Sequence, residues 1–307
     1  MAPSARSAPL HSAHRTAAAR IARSVVLLSV MLPSVAPLAA QSRGTLLVVG
    51  GGPQPPALVA EFVRLAGGRD ARIVIFAMAS ASGRTSGEEK AADLRRLGAT
   101  AMNVWLTRAQ AGTDSAASLL DGATGVWFGG GDQGRLADVL RGTPVLAAIR
   151  SRFDAGAVVG GTSAGAAVLS TPMITGDERR PGGARPDTSE AWLTIEREDV
   201  ITTDGFGFIT NAIVDQHFLR RKRHNRLLSL VLEGPQRLGV GIDESTALRI
   251  GPDGIWHVLG ASAAVVYDAR SSAVTPGGVT LGVTGMRMHV LPAGSRFDPR
   301  DGAARLP

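Results

Sequence analysis

Four short apolar stretches, each running into glycines or other small residues, constrain this chain more than any other feature. Leu46–Val49 ends in Gly50-Gly51-Gly52-Pro53, and Arg72–Phe76 is followed by a small-residue loop through Gly83. Gly125–Phe128 closes in Gly129-Gly130-Gly131-Asp132-Gln133, and Ala157–Val159 leads into Gly160-Gly161-Thr162-Ser163. Helical spacing of apolar residues marks Ala57–Ala66, Glu88–Leu97, Leu136–Leu140 and Val145–Phe153, and Ala101–Leu106 reads as a further strand. Strands buried on both faces read as continuous apolar runs, so this alternation predicts an α/β fold with a mostly parallel sheet between two helical layers. Such sheets bind ligands beyond the carboxyl ends of their strands, where Gly129–Gln133 and Ser163 fall.

The ends of the chain read differently. Arg6, Arg15, Arg20 and Arg23 precede the apolar run Val25–Leu32, and Pro37-Leu38-Ala39-Ala40 follows. Charged, apolar, then small is the order of a secretory signal peptide, so residues 1–40 are expected to be a leader cleaved after Ala40. The apolar run falls short of the ~20 residues a membrane span needs. Export to the periplasm or outside the cell is the expected location, with no membrane attachment once the leader is gone. The chain has no cysteine, which excludes disulfide staples and a lipidated cysteine anchor. The formal charge of +7 is largely the leader's: without its four arginines, 29 basic residues face 26 acidic ones. A net of +3 gives no case for nucleic-acid binding. Residues 41–307 fit one catalytic domain. Within it, Gly176–Glu190 reads as a solvated surface loop, Thr246–Ile250 and Ile255–Leu259 as a hairpin around Gly251-Pro252-Asp253-Gly254, and 270–307 as a tail of uncertain role.

Gly161-Thr162-Ser163-Ala164-Gly165 matches the nucleophile-elbow pattern, a strand turned sharply into a helix. The tight turn requires neighbours with little or no side chain, and the following helix aims free N–H groups at developing negative charge. A glycine-rich chain makes G-x-S-x-G by chance, so partners are needed. Of His217, His224, His257 and His289, only His217 ends an apolar strand in three consecutive polar residues, Asp215-Gln216-His217, and it is the candidate base. Gly239-Val240-Gly241-Ile242 runs into Asp243-Glu244, and residue types alone leave both acids open as the group that orients an imidazole. The run Arg220-Arg221-Lys222-Arg223-His224-Asn225-Arg226 would place positive charge at the rim, where arginines bind carboxylates through paired hydrogen bonds. Their helical angles prevent Arg221, Arg223 and Arg226 from all facing one pocket unless the segment is irregular. Nothing in the spacing of His, Asp and Glu suggests a metal site, and no cofactor is expected.

Taken together, Phe128-x-Gly-Gly-Asp132-Gln133-x-Arg-Leu, Gly-Thr-Ser163-Ala-Gly-Ala, Asp215-Gln-His217-Phe-x-x-Arg221-x-Arg223-x-x-Arg226-Leu and Gly-Ile-Asp-Glu244-x-Thr-Ala resemble the cyanophycinase family. These are serine exopeptidases related to aspartyl dipeptidase, with a fold like the class I glutamine amidotransferases. The resemblance runs from Leu46 to about Tyr267, in the family's order. It implies Ser163 as nucleophile, His217 as base and Glu244, rather than Asp243, as orienting acid. It also implies an oxyanion hole from the N–H groups of Gly131 and Ala164. Gln133, Asp215, Gln216, Arg221, Arg223 and Arg226 are then expected to line the substrate pocket. The implied substrate is cyanophycin, a poly-aspartate backbone carrying arginine on its β-carboxyls, released as β-Asp-Arg dipeptides; a homodimer is the implied assembly. Three other readings compete. One is a dipeptidase for small Asp-containing peptides, and another an inactive protein that binds acidic or arginine-rich peptides. The third, an α/β-hydrolase esterase, places its acid before its histidine, whereas here the candidate acids follow His217.

Overall fold

The computed structural model describes residues 44–180, 183–186 and 191–307. The expected leader, residues 1–40, lies outside the described residues, as do 181–182 and 187–190 of the expected surface loop.

The first half alternates as the apolar runs predict. In order come β1 (Thr45–Val49), α1 (Pro56–Leu65), β2 (Arg72–Phe76), α2 (Gly83–Arg96) and β3 (Thr100–Val104). Two single-turn helices follow, α3 (Arg108–Ala111) and α4 (Asp114–Ala117), then β4 (Gly125–Phe128), α5 (Gln133–Leu140) and α6 (Pro144–Asp154). The last unit of this half is β5 (Val158–Thr162) with α7 (Ala164–Ala167). The second half is mostly strand: β6 (Met173–Arg180), β7 (Gly183–Pro186), β8 (Val200–Thr203), β9 (Ile213–Asp215), then α8 (His224–Glu233). It continues with β10 (Leu238–Ile242), β11 (Thr246–Ile250), β12 (Trp256–Gly260) and β13 (Ala263–Asp268). Five short strands finish the chain: β14 (Ala273–Val274), β15 (Val283–Thr284), β16 (Arg287–Pro292), β17 (Arg296–Asp298) and β18 (Ala303–Arg305).

Among the described residues one sheet has the order β18-β17-β12-β11-β1-β5-β4-β2-β3. The half from β1 to β3 is parallel, and β11, β12, β17 and β18 extend it antiparallel. Burial shows how the layers form. Leu47 and Val49 point to one face, with Leu58 and Phe62 of α1 and Ala91 and Leu94 of α2. Leu46 and Val48 point to the other, with Leu136 and Leu140 of α5 and Val145 and Ile149 of α6. Alternate residues of a strand face opposite ways, so one strand feeds both cores and both faces are covered.

A second sheet, β16-β13-β10-β9-β6-β7 with β8 paired to β6, shares the second of these cores through Val214, Val240 and Val266. Its opposite face packs Ile213, Val265 and Tyr267 against Leu227 and Val231 of α8. The segment read as a tail closes both sheets: β16 pairs with β13, and β17 pairs with β12.

The expected surface loop at 176–190 is corrected at 176–180 and 183–186, which are strand. Residues 176–180 belong to β6, which pairs with β7 and β8, and Glu178 is fully buried, accepting the Trp192 N–H. Charge and glycine content suggested solvation here, but a buried carboxylate with a backbone partner satisfies the same residue type.

Candidate active site

β5 ends at Thr162, and Ser163 takes φ 55° and ψ −116°, a conformation that costs on the order of 1–3 kcal/mol for a residue with a side chain. Both glycines of the elbow are sterically required. A methyl on Gly161 would lie 2.2 Å from the Gly165 carbonyl oxygen, and one on Gly165 would lie 2.1 Å from that of Phe128. The turn raises Ser163 at the carboxyl edge of the sheet, with α7 starting at the next residue.

His217 follows β9 and Glu244 follows β10, neighbouring parallel strands of the second sheet. Ser163 Oγ lies 2.9 Å from His217 Nε2, and His217 Nδ1 lies 2.7 Å from Glu244 Oε1. A carboxylate only accepts, so Nδ1–H donates to Glu244 and Nε2 accepts from the serine hydroxyl. Asp243, the other open acid, is engaged elsewhere. Its carboxylate accepts the Arg220 N–H at 2.9 Å and the Ser262 hydroxyl at 2.8 Å, which shapes the turn.

The loop after β1 binds all three parts. Val49, Gly50 and Gly51 present successive carbonyls to the N–H groups of Ser163 (3.1 Å), His217 (2.6 Å) and Ser245 (2.9 Å). Those three donors have φ values of 55°, 50° and 55°. The glycines themselves make room: a methyl on Gly51 would sit 2.3 Å from His217 Cε1, and one on Gly52 2.8 Å from Glu244 Oε2. The sequence marked this loop only as a glycine turn. Its contacts join residues more than a hundred positions apart, which no local pattern carries.

A cavity of about 440 Å³ opens beside Ser163, lined by Gly131, Asp132, Gln133, Thr175, Gly176, Asp177, Gln216, Arg221 and Arg223. Ala164 directly follows Ser163 in the elbow and Gly131 lines the cavity beside it; Gly131 has φ 137°, and a methyl on it would lie 2.3 Å from the Ala79 carbonyl oxygen. Gln133 Nε2 donates to the carbonyls of Ile174 (2.9 Å) and Thr175 (2.5 Å), tying α5 to β6. Gln216 Oε1 and its carbonyl both accept from Arg223 Nη1 at 2.8 Å. Phe218–Arg223 forms turns rather than a continuous helix, and this irregularity lets Arg221 and Arg223 reach one cavity. Thr175 and Asp177 also line it; Asp177 fell in the stretch expected as a solvated loop, and Thr175 lay just before it with no pattern to mark it.

Two expected pocket residues are corrected. Asp215 and Arg226 do not line the cavity: both side chains are fully buried and paired with each other. Arg226 Nε donates to Asp215 Oδ2 at 2.7 Å and Nη2 to Oδ1, while Oδ1 also accepts the Gln216 N–H at 2.7 Å. Arg226 lies in the first turn of α8, on the face turned to the sheet, so its charge is met inside the core. His224, the first residue of α8, is half-buried, with Nδ1 2.6 Å from the Tyr267 hydroxyl.

Burial pushes the His217 imidazole below its ordinary pKa. The Glu244 hydrogen bond opposes that shift, and the cations Arg221 and Arg223 add to it. The neutral ring, able to accept a proton, is thereby favoured. Among the described residues, no group of three or more His, Cys, Asp or Glu side chains is placed to hold a metal ion.

Residues 46–257 match the model of peptidase family S51. The chain belongs to peptidase family S51. It is a serine-type peptidase, and its relatives agree. It is 33% identical over 267 residues to the cyanophycinase of Geminocystis herdmanii, covering 83% of this chain and 94% of that one. It is 31% identical to the cyanophycinase of Synechococcus elongatus over 84% of this chain and 80% of that one. Over a shorter stretch, 62% of each chain, it is 38% identical to the cyanophycinase of Trichormus variabilis. Among solved structures, a peptidase from an acI-B1 actinobacterium superposes with TM-score 0.57 at 24% identity, over 82% of this chain and 98% of that one, and shares the fold.

For an S51 peptidase read this way, Asp215 and Arg226 should act on stability and Arg221 on turnover. Asp215→Asn leaves a buried guanidinium without its full counter-charge and should lower unfolding stability by about 3–5 kcal/mol in urea titrations. Arg221→Ala, at an exposed position, should change it by no more than about 0.5 kcal/mol. Equal urea midpoints for Asp215→Asn and the wild-type protein would refute the structural assignment of the pair.

Proposed function

We propose that this peptidase hydrolyses cyanophycin outside the cytoplasm, releasing β-Asp-Arg dipeptides, with Ser163 as nucleophile, His217 as general base and Glu244 as orienting acid. The observation that carries the reading is the hydrogen-bonded series from Ser163 through His217 to Glu244, beside a cavity that mixes Arg221 and Arg223 with Asp132 and Asp177. A polymer with a carboxylate and a guanidinium in every repeat calls for both charge types. The three curated relatives above are cyanophycinases, which supports the same substrate. Export rests on the leader pattern of residues 1–40. No helix among the described residues is long and apolar enough to cross a membrane. A homodimer, as the family resemblance implies, belongs to the same proposal.

Release of a dipeptide with its arginine still attached requires cleavage of the main-chain amide between successive aspartates. Ser163 Oγ attacks that carbonyl while His217 Nε2 takes the hydroxyl proton. Glu244 holds the ring through Nδ1–H and stabilises the imidazolium as it forms. The carbonyl oxygen gains negative charge, and the backbone N–H groups of Gly131 and Ala164 are the donors assigned to it. As the tetrahedral intermediate collapses, His217 returns its proton to the departing amine and an acyl ester remains on Ser163. Water, deprotonated by His217, then cleaves the ester and regenerates the serine. In this scheme Arg221 and Arg223 hold substrate carboxylates, and Gln216 fixes the Arg223 guanidinium.

Incubation with purified cyanophycin and mass analysis of the soluble products should show β-Asp-Arg, undiminished by chelator. Ser163→Ala should lower turnover by a factor on the order of 10⁶. Release of free arginine with intact poly-aspartate, or loss of activity with chelator alone, would sink the proposal. The pH profile supplies a second check. His217 is active when unprotonated and its pKa is depressed, so the acid limb of kcat/KM should lie below the ordinary histidine value. Removing the nearby cation in Arg221→Gln makes the imidazolium easier to form, so the limb should move to higher pH. An unmoved limb would mean that Arg221 exerts no field at the base.

A further inference from the structure

A second cavity, of about 320 Å³, lies against the elbow from the other side. Its walls come from Gln54 after β1, the end of β2, the inner face of α2, and Trp127, Gly129, Gly130 and Thr162. The two cavities share two strand ends. Gly130 and Thr162 line this one, and the next residues, Gly131 and Ser163, line the one described above. Ser163 Oγ therefore stands at the boundary: a methyl placed on Gly130 would be 3.9 Å from it. A chain cleaved at Ser163 thus has one cavity on each side of the reacting oxygen within reach.

The cavity is built around Lys90 of α2. Its ammonium donates to Gln54 Oε1 at 2.6 Å and sits 4.5 Å from the centre of the Trp127 ring. Among the described residues, no carboxylate lies within ion-pair distance of it. Asp93 is near enough to act through space, but its own ion pair is with Arg96. Burial lowers the Lys90 pKa to about 8, against the weaker opposing pull of Asp93. A half-buried cation with an amide oxygen and an aromatic face as neighbours has donor capacity to spare. It gains most from an anion that enters the cavity and excludes water. Glu89 and Asp93 line the same cavity, so a guanidinium on the same ligand also meets opposite charge.

We propose that this cavity is a second substrate subsite, which takes the arginine of one β-Asp-Arg unit with its free α-carboxylate on Lys90. The subsite rests on the function proposed above and deepens it. The units on the two sides of the scissile amide are held separately, one by Arg221 and Arg223 and the other by Lys90. Lys90 is thus a specificity residue for the carboxylate of the unit that does not reach the arginines.

The test compares wild-type protein, Lys90→Met and Lys90→Arg on two synthetic oligomers of β-Asp-Arg, one with free arginine carboxylates and one with those carboxylates amidated. Lys90→Met should raise KM for the free-carboxylate oligomer about ten- to hundredfold, the range for losing one charge-assisted hydrogen bond, with little change in kcat. It should leave the amidated oligomer unaffected, and Lys90→Arg should restore most of the loss. Thermal midpoints and fluorophosphonate labelling of Ser163 separate this from misfolding. Equal effects on both oligomers, or none, would overturn the subsite. Calorimetric titration of β-Asp-Arg dipeptide gives a readout that needs no turnover. Weaker binding to Lys90→Met than to wild type upholds the subsite even if neither oligomer is cleaved, in which case only the peptidase specificity falls. Dipeptide binding unchanged by Lys90→Met overturns the subsite, whatever the activity.

Discussion

Three consecutive carbonyls at the end of β1 organise this molecule. Val49, Gly50 and Gly51 each accept one backbone N–H, from Ser163, His217 and Ser245, and so collect loops from two different sheets onto one short segment. All three donors have positive φ. That geometry is costly for residues with side chains and persists only where the surroundings over-determine it. Here the surroundings are the parallel pairing of β1 with β5, the parallel pairing of β9 with β10, and glycines that leave room for the imidazole and the carboxylate. Because the hydrogen bonds are between backbone groups, the site's register is set by strand pairing and not by flexible side chains. The 2.7 and 2.9 Å side-chain contacts follow from that register.

Charge is used at two depths. The Asp215–Arg226 pair is sealed in the core beneath the strand that carries His217, and Asp215 also accepts the Gln216 N–H at the strand's end. Arg221 and Arg223 stay at the cavity, where their field bears on His217 as well as on any carboxylate that enters. Neighbouring arginines of one basic run therefore have different physical roles, set by where the turn gives way to α8.

The parallel half of the fold was legible because its strands are buried on both faces and are written as unbroken apolar runs. The hairpin at Gly251–Gly254 was legible from its Gly-Pro-Asp-Gly turn between two mainly apolar runs. The elbow was readable from its own G-x-S-x-G pattern, since Gly161 answers to the Gly165 carbonyl four residues on, while Gly165 answers to Phe128 on the neighbouring strand. What escaped was pairing over distance. Nothing in residue types near Asp215 says that its partner is Arg226 rather than a ligand, and both choices satisfy a buried carboxylate. Nothing near Gly51 says that an imidazole will rest on it. Short strands were expected after Gly260, but those beyond residue 270 could not be assigned partners, because half-exposed residues such as Met288 and Val290 in β16 blur the alternation. Glu178 misled for the opposite reason, as a charged residue in a polar, glycine-rich stretch that the fold buries completely.

The central claim is that Ser163, held at this junction, forms a covalent bond to the acyl half of a main-chain aspartyl amide. Mass spectrometry of the acid-quenched protein, within the first turnover on a β-Asp-Arg oligomer, tests that most directly. The account predicts a transient mass increase equal to the acyl fragment, located on the peptide containing Ser163 and lost as product accumulates. Product formation with no adduct at any quench time, or an adduct on a different residue, would contradict it.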